Sequence, residues 1–271
     1  MLAPLSASTI DRGGVPRAVL VVGHPGHELR VYGWMAAVRP TVHVLTDGSG
    51  GSRRSRVEST SALLDGVGAS RGAIYGRMSD REIYAAMLDG DLDCFVALAE
   101  ELADSFVRDG VDVVAGDAVE GFNPSHDVCR YVINAAVRLA SVAAQRPIAC
   151  YAFPLDGAPG VRPAGVCDVP LKVELDERTL DRKLKAAHAY AELTLEVEKT
   201  LARFGAAPFR TEYLWPADLA DPYGWDPERV PFYESYGAQR VASGAYRRVV
   251  TFGRHVKPLA DALWCRCAVS A

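Results

Sequence analysis

The stretch Ala18-Val19-Leu20-Val21-Val22-Gly23-His24-Pro25-Gly26-His27-Glu28 decides the fold. Its first five residues are apolar, rich in β-branched side chains and free of polar alternation, the pattern of a strand buried on both faces of a parallel sheet. Pro16 bounds the run on one side and His24-Pro25 on the other. Outward from it, residues 28–38 carry the apolar spacing of a helix, Pro40 stops that helix, and residues 41–45 read as a second strand. Gly48, Gly50 and Gly51 then form a flexible loop. Residues 54–67 read as a helix, 73–75 as a short strand, 91–108 as a strongly periodic helix and 111–115 as another strand. A polar loop leads to His126, followed by a helix over 127–144 and a strand over 148–153.

Strands alternating with helices at this spacing predict an α/β protein built from βαβ units, with a mostly parallel sheet and helices on both faces. Ligands of such sheets lie beyond the carboxyl ends of the strands, which singles out the loops after Gly23, Leu45 and Ala115. Residues 157–170 are rich in Gly and Pro, 171–175 read as a strand, 177–204 as one long helix ended by Gly205, and 208–231 as the least regular stretch. The expected organisation is one domain over 1–271, with a core at 16–205 and a C-terminal loop and helix segment at 206–271. No G-x-G-x-x-G loop follows the first strand, which disfavours a dinucleotide cofactor.

The 271 residues are 49% hydrophobic, and 30 Lys+Arg against 34 Asp+Glu leave a net charge of −4. A mildly acidic surface repels phosphate, so neither nucleic acid nor an anionic membrane is an expected partner; a small-molecule substrate is. The six Cys (94, 129, 150, 167, 265, 267) have no framework spacing and read as reduced thiols. The N-terminal residues lack the basic and apolar regions of a signal peptide, and no run of ~18 apolar residues occurs, so a cytoplasmic location is expected.

Two of the six His stand three apart after the first strand, in His24-Pro25-Gly26-His27-Glu28, and a third follows a separate strand, in Asn123-Pro124-Ser125-His126. Three imidazoles on strand-end loops form the donor set of a catalytic zinc site with one position open, although other divalent transition metals accept the same nitrogens. Taken singly, a His in a loop is more often a cap or a satisfied polar group; the two motifs together are what raise the metal reading.

These motifs resemble those of the zinc-dependent N-deacetylases of the PIG-L or LmbE-like superfamily, which carry His-Pro-Asp-Asp-Glu after the first strand of a Rossmann-like sheet and His-Pro-Asp-His about a hundred residues later. Leu45-Thr46-Asp47-Gly48, Arg56 with Glu58, Met78-Ser79-Asp80, Tyr233-Glu234 and the segment 254–259 are similar to further parts of the family pattern. The resemblance implies a Rossmann-like LmbE fold, Zn2+ held by His24, His27 and His126, and hydrolysis of an amide on a small polar substrate such as an N-acyl sugar or a natural-product intermediate. His27 stands where the family has a ligating Asp, Gly26 where it has the general base, and Asn123 and Ser125 where it has the His and Asp of the second motif.

A hydrolase without the family's base needs a substitute, and Asp47, Glu28 and Asp127 lie beside the motifs. Asp47 is preferred because its loop opens into the same crevice, with an Asx-turn as the competing reading. Asn123 offers amide hydrogens to a developing oxyanion, or else merely forms the turn before Pro124. Arg54 and Arg56 are candidate holders of a substrate anion, and Asp80 of a substrate hydroxyl; a solvated helix start and a helix cap are their bland counterparts. The alternatives to an amidohydrolase are a divergent member catalysing a different metal-assisted reaction, such as a lyase, cyclisation or transfer step, and a non-catalytic ligand-binding protein.

Overall fold

In the computed structural model, which describes residues 16–50, 54–162, 171–226 and 228–269, Ala18–Val22 form strand β1, all five side chains buried. Alternate residues of β1 enter two apolar cores on opposite faces of the sheet. Val19 and Val21 join one, and Ala18, Leu20 and Val22 the other. This two-sided burial is why the strand shows no polar alternation.

The remaining strands are β2 (Thr41–Thr46), β3 (Ser70–Met78), β4 (Val113–Asp117), β5 (Ala149–Phe153), β6 (Leu171–Glu174) and β7 (Thr211–Pro216), and the sheet order is β3-β2-β1-β4-β5-β7-β6. The first five strands pair in parallel, while β7 runs antiparallel to both β5 and β6. The chain leaves β1 toward β2 and β3 on one side and returns to β4 and β5 on the other. The crevice beyond the carboxyl ends of β1 and β4 is therefore the topological switch point, where α/β sheets bind ligands.

Helices cover both faces. α4 (Leu92–Arg108), α5 (Pro124–Ala143) and α9 (Lys257–Val269) pack on one core, and α1 (Tyr32–Val38), α2 (Val57–Val67) and α6 (Glu177–Ala189) on the other. α3 (Asp80–Asp89), α7 (Thr194–Phe204) and α8 (Phe232–Ala242) complete the set. Among the described residues no helix is long and apolar enough to cross a membrane. Five cysteines are free thiols, and Cys167 lies outside the described residues.

Several elements differ from the sequence reading. The helix expected over 28–38 begins as a 3-10 turn at His27–Val31 and becomes α-helical only from Tyr32. The third strand is longer than 73–75, with an irregular register against β2. α3 had no counterpart; it starts at a capping box in which Ser79 and Glu82 satisfy each other's backbone N–H groups. The long helix over 177–204 is broken at Tyr190, whose ring is buried and whose hydroxyl reaches Thr60 Oγ1 (2.7 Å) and the Arg56 carbonyl (3.3 Å). Within 208–231 lies β7, which belongs to the sheet although it follows residue 205. Its inward side chains are Leu214, in the apolar core, and Glu212, which accepts hydrogen bonds from the Gly33 and Trp34 N–H groups (2.8 and 2.9 Å) and from Lys183 Nζ (2.8 Å).

Candidate functional site

The chain turns sharply after β1. Gly26 adopts φ +106°, and a Cβ there would stand 2.6 Å from Leu193 Cδ1, so glycine is required by both backbone and packing. This turn carries His24 and His27 to the mouth of the crevice. The loop after β4 brings in His126 at the start of α5, where Asn123 is the N-cap and Pro124 the first helical residue.

The three imidazoles gather edge to face. Ring centroids lie 5.2 Å apart for His24 and His27, 5.1 Å for His24 and His126, and 4.5 Å for His27 and His126. Each of the first two is gripped at Nδ1 by a carboxylate. His24 Nδ1 contacts Asp80 Oδ1 (2.9 Å) and Thr46 Oγ1 (2.7 Å); His27 Nδ1 contacts Asp117 Oδ2 (2.9 Å). An ionised carboxylate only accepts, so Nδ1 donates in both. His24 Nε2 faces the Ser125 hydroxyl at 2.8 Å. His126 Nδ1 is buried without a hydrogen-bond partner. Burial depresses the pKa of His27 against the opposing pull of Asp117, and burial with the neighbouring His27 and His24 depresses that of His126 further. Burial thus favours the neutral form of the His27 and His126 rings.

Asp117, the last residue of β4, is fully buried; its Oδ2 also accepts the Gly23 N–H (2.8 Å), and its Oδ1 has no partner. The sequence reading missed this residue by ending the strand at Ala115. Asp80 uses both oxygens inside the protein, Oδ1 on His24 and Oδ2 on the Gly50 N–H (2.7 Å). Burial acts to raise its pKa, but the hydrogen bond and charge of His24 outweigh that and hold it well below the usual carboxylate range.

The other expected residues are placed as follows. Asp47 Oδ1 accepts the Ser49 N–H (2.9 Å) and the Asp80 N–H (3.3 Å), the geometry of an Asx-turn. Glu28 is fully buried, with its oxygens on the Gly26 N–H (2.7 Å) and the Thr60 hydroxyl (2.8 Å), and burial pushes its pKa up to about 7. Neither carboxylate is hydrogen-bonded to an imidazole. Asp127 anchors the loop after β4 through the Glu120 and Gly121 N–H groups (3.0 and 3.2 Å). Asn123 Oδ1 accepts from Tyr84 Oη (2.9 Å), the Ser125 N–H (3.0 Å) and Ser125 Oγ (2.8 Å). The backbone donor fixes which end of the amide is oxygen, so the Nδ2 hydrogens are the side left to donate. Arg54 is exposed and faces Glu192 at 3.6 Å, while Arg56 packs beside the Gly48 turn with its Nε buried and unpaired.

With a Zn–N bond of ~2.0–2.1 Å, imidazole centroids around a tetrahedral ion stand about 5 Å apart, close to the distances above, and the unpaired His126 Nδ1 is the kind of atom an ion satisfies. Carboxylate-held Nδ1 atoms are also the usual companions of ligating imidazoles. As the side chains stand, however, no three His, Cys, Asp or Glu among the described residues converge to hold an ion; His24 Nε2 is directed at Ser125 instead. The donor set fits a divalent transition metal in kind and spacing, and Ser125 is its competitor for one nitrogen. Beside the cluster, Gly26 and Phe122 border a cavity of about 670 Å³ that continues along α6 and α7, a volume suited to a small molecule.

No protein-family model matches the chain and no curated protein matches it. Among solved structures, it is similar to the antimicrobial reagent A40926 pseudoaglycone deacetylase Dbv21, at 21% identity and a TM-score of 0.50 over 75% of this chain and 97% of that one. It is also similar to the zinc-inhibited form of teicoplanin deacetylase Orf2, at 13% identity and a TM-score of 0.50 over 74% of this chain and 99% of that one. The likeness at such identities is one of fold: the chain shares the α/β architecture of these two deacetylases.

Proposed function

We propose that the protein is a metal-dependent hydrolase that removes an acyl group from an amide nitrogen of a small polar substrate, an N-acyl sugar or a natural-product intermediate, with His24, His27 and His126 holding Zn2+ or a similar ion. The observation that carries this reading is the gathering of three imidazoles from two strand-end loops at the switch point, two of them held at Nδ1 by carboxylates. The deacetylases of similar fold support the choice of reaction. A bound ion supplies Lewis-acid polarisation of the amide carbonyl and acidifies water toward neutral pH.

The chain's own residues supply orientation. Asp80 and Asp117 hold the Nδ1 protons of His24 and His27, which leaves the Nε2 lone pairs for ligation. Asn123, its oxygen clamped by Tyr84 and Ser125, turns Nδ2–H groups outward to donate to a developing oxyanion.

Ser125, His24 and Asp80 also line up at 2.8 and 2.9 Å, the spacing of a nucleophilic relay. Ser125 is fully buried, so a substrate carbonyl does not reach its Oγ, and the metal reading is preferred.

The test is elemental analysis of purified protein with a panel of N-acyl amines. The wild type is expected to carry one zinc and hydrolyse an amide, and His27→Ala and His126→Ala to lose both together. Full activity in a metal-free His27→Ala protein overturns the assignment.

A further inference from the structure

The mechanism above needs Asp117 only as a hydrogen-bond acceptor, yet the residue is a stronger group than that task requires. Its carboxylate is fully buried at the end of β4, with one oxygen on the Gly23 N–H and His27 Nδ1 and the Cys129 thiol, a weak donor, beside it. The nearest guanidinium, Arg130, donates through Nε to the Asp117 main-chain carbonyl and through Nη2 to the Tyr151 carbonyl (3.0 Å) rather than to the carboxylate. Among the described residues, the carboxylate's ion pair is with His27. A buried carboxylate lacking a permanent cation is expensive relative to a neutral amide of the same shape. An Asn would serve the Gly23 N–H as well.

Resting on the metal reading above, we propose that Asp117 is a positioning residue for a divalent metal. It fixes His27 as the Nδ1–H tautomer, aims the Nε2 lone pair into the cluster and places a carboxylate behind a donor set made of imidazoles alone. The carboxylate acts through the ring and touches neither ion nor substrate. The site is prepared for it: a Cβ on Gly23 would stand 3.1 Å from Asp117 Oδ2, and one on Gly116 would stand 2.6 Å from the Val21 carbonyl. Both glycines therefore let the β4 end approach the β1 end closely enough for the carboxylate to reach His27.

Two measurements test this. In chelator competition, Asp117→Asn is expected to weaken Zn2+ binding by about 10- to 100-fold, the range for removal of a partner that orients a ligand. In metal-free wild-type protein with 15N-labelled histidine at pH 8, NMR is expected to show His27 as the Nδ1–H tautomer, its signals assigned by their loss in His27→Gln. Tight zinc binding left unchanged by Asp117→Asn overturns the inference alone, as does a wild-type His27 in the Nε2–H form. A wild type that binds no zinc overturns the metal reading and this inference with it. The tautomer measurement needs no Asp117 variant, so it decides the matter even where Asp117→Asn does not fold.

Discussion

Asp47 shows how the same residue can carry two roles that one substitution separates. Its Oδ1 accepts two backbone N–H groups, and one of them belongs to Asp80, the residue that grips His24. Asn retains that acceptor, so Asp47→Asn is expected to keep both stability and hydrolysis near wild type, whereas Asp47→Ala loses about 1 kcal/mol of hydrogen bonding and loosens Asp80. A fall of ~100-fold or more in hydrolysis rate in the Asn variant, the scale on which an essential proton acceptor matters, would instead make Asp47 the base. The three imidazoles were legible because they occupy named positions in short motifs at strand ends. Asp117 was not, because its contact with His27 spans 90 residues of sequence and leaves no periodic signal. Gly26 read as the loss of an acid; its left-handed backbone strains any side chain there, so the loop geometry itself differs from one that accepts Asp.

The strands that read most clearly are the parallel ones, where continuous β-branched runs follow from burial on both faces, and the weakest reading fell on β7. That strand alternates, and one of its two inward positions is a charged residue, so hydropathy disguises it. Glu212 ties three elements together: it accepts the Gly33 and Trp34 N–H groups, unsatisfied donors of the first turn of α1, and pairs with Lys183 of α6. Both partners of the ion pair are almost fully buried. Removing one leaves an uncompensated buried charge, so Glu212→Ala is expected to destabilise the protein by about 3–5 kcal/mol, read as a lower urea midpoint. A loss under ~1 kcal/mol would mean that water reaches Lys183 and that β7 is not anchored in this way. Tyr190 makes the same point for helices: the amphipathic pattern over 177–204 continues through the break, and what splits it is a tertiary hydrogen bond to Thr60 that no local pattern encodes.

At the scale of the whole molecule, the burial that assembles the site also shapes stability against pH, and it does so with two opposing signs. Burial pushes the carboxyl of Glu120 up to about 7, helped by the nearby charge of Asp156 and opposed by hydrogen bonds from the Leu155 and Asp156 N–H groups. In the unfolded chain this group titrates near ~4.3. Below that pH both states hold the proton; as pH rises toward 7 the unfolded chain releases it while the folded protein keeps it, so this contribution to stability is present in acid and lost by about pH 7. The buried imidazoles act the other way. His27, His43 and His126 are depressed chiefly by desolvation, so acidification below the unfolded value of ~6.5 favours the unfolded chain. A wild-type stability curve therefore mixes both slopes and assigns neither. The difference between wild type and Glu120→Gln isolates one proton, because Gln keeps an acceptor for the same two N–H groups but does not titrate. Urea midpoints between pH 4.5 and 8 are expected to show the stability advantage of the wild type over the variant falling as pH rises to about 7 and staying level beyond. An advantage that is constant across that range would show that the Glu120 carboxyl ionises as freely in the folded protein as in the unfolded chain, and that the loop after β4 is open to water.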